Sequence, residues 1–145
     1  MHHELARTVR AELAHVQQAW REDRLSDAFD HAERAHILGQ RYLIPHAQTH
    51  WWMLRIGWRR RDGREVTGQL LRIIAVFPGF VTGWIPKGNT GGANVSALRP
   101  MPVPDDLKSL VDFSVGKDVL QRGLLFASAV AIAAIISVAL TPWRD

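Results

Sequence analysis

The hydrophobic pattern falls into four helical stretches, a glycine- and proline-rich stretch and an apolar tail. Leu5, Val9, Leu13, Val16 and Trp20 recur at steps of three and four, which predicts a first amphipathic helix over Glu4–Arg21. A second runs from about Leu25 to Leu38, with Ala28, Phe29, Ala32 and Ala35 inside and Gly39 as a left-handed stop. Pro45 suits the first position of a third, which continues to about Arg61. Asp62, with Glu65 three residues on, has capping-box spacing and opens a fourth. Its expected buried stripe is Val66, Leu70, Ile73 and Phe77, and Pro78-Gly79 is its expected end.

These elements predict an all-α fold. Residues 1–78 form two stacked antiparallel helical hairpins, resembling tetratricopeptide repeats at most. Residues 79–104 are too rich in glycine and proline for a regular helix, yet hold too many apolar side chains for a free linker. They are expected to lie over the helices as an ordered extended segment. Residues 105–116 are a short helix, ending near Phe113, and a linker; residues 117–145 are an anchor. Leu124–Leu140 carries no charge, and its apolar residues favour insertion by about 3–5 kcal/mol. It is expected to be a C-terminal transmembrane helix, giving a tail-anchored, single-pass membrane protein. Lys117 and Arg122 on one flank, against Arg144 on the other, place the N-terminal domain in the cytoplasm.

Composition changes the picture in two ways. The formal net charge is +4, which points to an anionic partner; with an apolar tail, lipid headgroups are the simplest one. Arg55, Arg59, Arg60, Arg61 and Arg64, which end the third helix and enter the fourth, and Trp52 on the third are the candidate lipid- or anion-contacting residues. No nucleic-acid recognition motif occurs, so no nucleic acid is expected as partner. The chain has no cysteine, which excludes disulfides, thiolate metal sites and a thiol nucleophile.

The candidate chemistry is in the histidines. His46 and His50, four apart, share one helix face, and His36 lies just before them on the second helix. His36, His46 and His50, with Glu33 or His31 as a fourth ligand, are a candidate site for one divalent transition-metal ion of undetermined identity. The alternative is that the histidines are structural, bonded to backbone and to each other. Two Glu-x-x-His pairs, Glu12/His15 and Glu33/His36, evoke di-iron bundles. Helical phase turns His15 away from the first stripe, and the third helix offers no glutamate, which argues against that centre. Lys87 precedes the glycines of KGNTGG instead of closing them, so no phosphate loop is read. Ser96, Ser109 and Ser114 lie in no nucleophile motif.

GQRY at Gly39–Tyr42, HWWMLRIGWRRRD at His50–Asp62 and GNTGGANVSALRPMPVPDDL at Gly88–Leu107 together resemble the bacterial domain-of-unknown-function 3703 family, over about residues 5–112. The resemblance implies a small, largely helical protein with no assigned activity. The resemblance also implies an association with metal-resistance gene clusters, which favours the metal reading. The expected function is therefore a membrane-anchored, non-catalytic metal-binding protein. The alternatives are a tethered protein–protein interaction module with structural histidines, and a metal-dependent enzyme with Glu33 as base.

Overall fold

Val9 and Val16 on the first helix, and Ala28, Ala32 and Ala35 on the second, are at most 2% exposed. Their small side chains let the two helices lie close together. The computed structural model describes residues 1–111 and 126–128. Four helices follow one another: α1 (His3–Arg21), α2 (Leu25–Gly39), α3 (Leu43–Arg59) and α4 (Gly63–Thr82). A single 3-10 turn, Asp105–Leu107, comes later. Each helix packs on the next, and no strand occurs among the described residues. The expected short helix near Phe113 is reduced, within the described residues, to that one turn.

The core has two parts. Val16, Ala19, Ala28, Ala32, Met53 and Ile56 join α1, α2 and α3 at one end. At the other, Leu5, Val9, Ile37 and Leu38 are sealed by Val103 and Leu107 from the returning chain. Arg34 reinforces this closure by bridging Glu12 on α1 and Asp106 in the 3-10 turn.

Helix ends differ from expectation for identifiable reasons. Gly39 is the last residue of α2, and Gln40 after it keeps a right-handed φ of −56°. The glycine is needed for closeness: a Cβ there would stand 2.8 Å from Pro45 Cβ. Asp62 accepts from Glu65 N at 3.0 Å, so half of the capping box forms. Pro78 does not end α4, which runs to Thr82 and stops at Gly83 with φ +70°. Proline removes one backbone donor and crowds the carbonyl four residues before it, yet α4 continues for four residues past Pro78.

The phase of α4 is the main correction to the helical pattern. Its buried residues are Glu65, Gln69 and Val76, whereas Leu70 and Phe77 are 49% and 51% exposed. The polar stripe turns inward because it has buried partners, described below, that water would otherwise have to supply.

The expectation of a transmembrane helix is also corrected. Among the described residues no helix is long and apolar enough to cross a membrane. The stretch on which that expectation rested, 124–140, lies outside the described residues except for 126–128. The tail-anchored, single-pass placement and the cytoplasmic orientation derived from it lose their basis.

Candidate metal centre

His46 and His50 sit one turn apart on α3, so their rings project from the same face. His36 faces them from the last turn of α2. The three ring centroids are mutually 4.7–4.8 Å apart. One nitrogen from each ring lies within 4.8 Å of the others, a spacing that can hold a metal ion.

Hydrogen bonds set which nitrogen each ring offers. His36 Nδ1 donates to the backbone oxygen of Asn89 at 2.9 Å, since a carbonyl can only accept. The ring's other nitrogen, Nε2, is buried and has no hydrogen-bond partner. His50 Nδ1 lies 2.6 Å from Gln69 Oε1. The Gln69 amide is oriented by its nitrogen, which donates to Glu65 Oε1 at 2.6 Å and to the Gly91 oxygen at 2.8 Å. Its oxygen is therefore the acceptor, and His50 Nδ1 carries the hydrogen. Neutral His50 then has a lone pair on Nε2, which lies 3.1 Å from His46 Nε2. Two nitrogens held tetrahedrally by one zinc at about 2.0–2.1 Å stand about 3.3–3.4 Å apart. The His46–His50 pair is already close to that edge length.

Burial keeps these rings uncharged. It lowers His46 to about 4 and His50 to about 3, with His46 adding to the second effect. His36 is held well below the ordinary imidazole value, first by burial and then by its two neighbours. Metal ligation requires neutral imidazole, so little proton competition remains at pH 7.

The glycine-rich segment is part of this site. Gly91 has φ +85°, and a Cβ on it would lie 2.8 Å from two carbons of the His36 ring. The buried Asn89 side chain accepts from Gly91 N and donates to the backbone oxygens of Ser96 and Arg99. Glu65 accepts from Ala93 N at 2.9 Å, and Arg72 donates to the oxygens of Gly92 and Val95. Sequence reasoning missed Asn89, Gln69, Arg72 and Gln40. The signal available was the polar spacing Glu65–Gln69–Arg72 on α4, which matches the period of a helix face.

The other expected ligands lie elsewhere. Glu33 is not in the three-histidine group; burial raises its carboxyl pKa, and its Oε1 lies near Gly92. His31 joins Glu12 and His15 in a second group with metal-ligand spacing, across α1 and α2. There Glu12 is already engaged by His31 Nδ1 at 2.7 Å and Arg34 Nε at 2.8 Å. His15, turned out by helical phase, is exposed but reaches the His31 ring at 4.8 Å.

Several of the expected anion-contacting residues make contacts within the chain, although Arg59 and Arg60 remain exposed. Arg55 stacks over Trp20 and Trp52 at 4.8 and 4.4 Å. Arg59 donates to the Trp20 oxygen and pairs with Asp23. Arg60 donates to the Leu25 oxygen and lies over Phe29. Arg61, with φ 56°, and Arg64 stay exposed at the α3–α4 corner.

With this geometry in place, comparison identifies the family. Residues 3–111 match the family described as "Protein of unknown function (DUF3703)". The chain belongs to the DUF3703 family. The match covers all four helices, the glycine-rich segment and the 3-10 turn. No curated protein and no solved structure matches the chain. The histidine cluster therefore lies wholly within the DUF3703 region, and DUF3703 membership names no activity for it.

Proposed function

We propose that the chain is a non-catalytic metal-binding protein that holds one divalent transition-metal ion on His36, His46 and His50. The observation that carries this reading is the buried, unpartnered Nε2 of His36, facing two further imidazoles while its Nδ1 is fixed by Asn89. Pinning the far nitrogen to a carbonyl is how proteins orient metal-bound histidine. A purely structural histidine has no reason to leave a buried lone pair unmade, which costs about 1–3 kcal/mol. Imidazole ligands suit zinc, copper, iron and nickel.

The test is metal analysis of the purified full chain after incubation with zinc and removal of excess. About one equivalent is expected in the parent, and well under a tenth in the His46→Ala/His50→Ala variant. Equal content in the two proteins would refute the site.

A second reading, a protein-interaction module, draws on one observation. Trp51, Trp58, Leu70, Ile74 and Phe77 are each about half exposed or more, on the outer faces of α3 and α4. It predicts that the same double replacement leaves binding of a defined partner unchanged.

A further inference from the structure

The three-histidine group leaves a tetrahedral ion one ligand short, and neither Glu33 nor His31 joins it. What surrounds the cluster indicates what completes it. A cavity of ≈ 330 Å³ opens beside all three histidines. That volume is at the small end of ligand pockets. Most of its wall is apolar, with Val76, Trp84 and Leu98 among the residues.

Besides the histidines, Gln40, Arg72, Thr82 and Asn89 are the polar residues that line the same cavity, and two of them matter here. Gln40 is 1% exposed; its Nε2 donates to the Ile37 oxygen, and its Oε1 is buried with no partner. It is an acceptor awaiting a donor. Arg72 is the other. Among the described residues its guanidinium bonds to the backbone oxygens of Gly68, Gly92 and Val95, not to a carboxylate. Burial disfavours its charge, and that charge is felt at His36 and His50.

Charge counting gives the sign of the missing ligand. Three neutral imidazoles cancel none of the +2 of the ion. Arg72 adds a further positive charge, and the carboxylates of Glu65 and Glu33 offset at most two of the three. A low-dielectric wall makes that excess felt strongly. We propose that the fourth position belongs to an exogenous ligand: a water that donates to Gln40 Oε1, exchangeable for a small anion drawn in by Arg72. Sites with three protein ligands and one exchangeable position are the open kind, distinct from four-ligand structural sites. This inference rests on the metal reading above.

The test loads the full chain with cobalt(II) and titrates it with azide while following the visible ligand-field bands. A saturable, single-site spectral change is expected in the parent. Arg72→Gln should weaken azide about tenfold, and Arg72→Lys, which keeps the charge, about threefold or less. If Arg72→Gln fails to fold, the parent titration and the lysine variant decide the matter. Cobalt uptake with bands indifferent to 100 mM azide would overturn the open position while leaving the metal site standing. Failure to take up cobalt would overturn both.

Discussion

Gly91 shows how much of the site depends on a residue with no side chain. Its φ of +85° disfavours any L side chain, and the space a Cβ would need is filled by the His36 ring. Gly91→Ala is expected to cost roughly 1–3 kcal/mol from backbone conformation alone. Because the same methyl displaces His36, metal affinity should fall at least tenfold as well. Urea denaturation and a competition titration with a chromophoric chelator read the two effects separately. The histidines themselves give a pH prediction. In the unfolded chain each titrates near 6.5; in the fold, burial holds His46 at about 4 and His50 at about 3. Below pH 6.5 the unfolded chain therefore takes up protons that the folded metal-free protein does not. Stability is complete above that pH and declines as pH falls toward 4 for His46 and toward 3 for His50. The loss is at most about 1.4 kcal/mol per pH unit for each ring. Urea midpoints at pH 7.5 and 5 should differ strongly in the metal-free parent and much less in His46→Ala/His50→Ala.

At the scale of elements, α4 and the segment after it act as one unit. Asn89 ties the segment to itself, while Gln69, Glu65 and Arg72 tie it to the helix. Asn89→Ala strips partners from Gly91 N and from the Ser96 and Arg99 oxygens. Each such loss costs about 1 kcal/mol or more where water cannot replace it. Proteolytic nicking within residues 84–103 should rise at least tenfold, with amide exchange in α1 unchanged, because only local opening is affected. The sequence made some of this legible and hid the rest. The stripe on α1 and the alanines of α2 showed the first hairpin, because burial there is apolar and periodic. His46 and His50 were legible as a pair through their four-residue spacing. The face of α4 was misread because Leu70 and Phe77 follow the expected apolar rule, yet the face that turns inward is the polar one. Hydropathy favours burying leucine over glutamine. It has no term for a glutamine whose oxygen meets an imidazole and whose nitrogen meets a carbonyl brought 22 residues along the chain. Asn89 was hidden for the same reason: its role is a set of tertiary bonds that no local pattern encodes.

At the scale of the whole molecule, the proposed ion would add a further tie between helices that already pack on one another. Its ligands come from α2 and α3, and the groups orienting those ligands come from α4 and the glycine-rich segment. Two separate apolar clusters hold the rest, and neither includes a residue of α4. The α4 unit packs on α3 and adds the polar contacts around the histidines to that packing. An ion that binds only the folded state stabilises it by about 2.7 kcal/mol when its free concentration is a hundred times the dissociation constant. For a body of this size that corresponds to a rise in Tm on the order of 10 °C. Zinc should therefore raise the Tm of the parent by that amount, and a chelator should reverse the rise. Hydrogen exchange should slow most in α4 and residues 88–93, farther from α1, because those are the elements the ion newly ties down. His46→Ala/His50→Ala should show neither effect. A Tm rise of equal size in the variant would assign the ion to a different group, with Glu12, His15 and His31 the first to examine; protection would then move to α1 and α2, where those side chains meet.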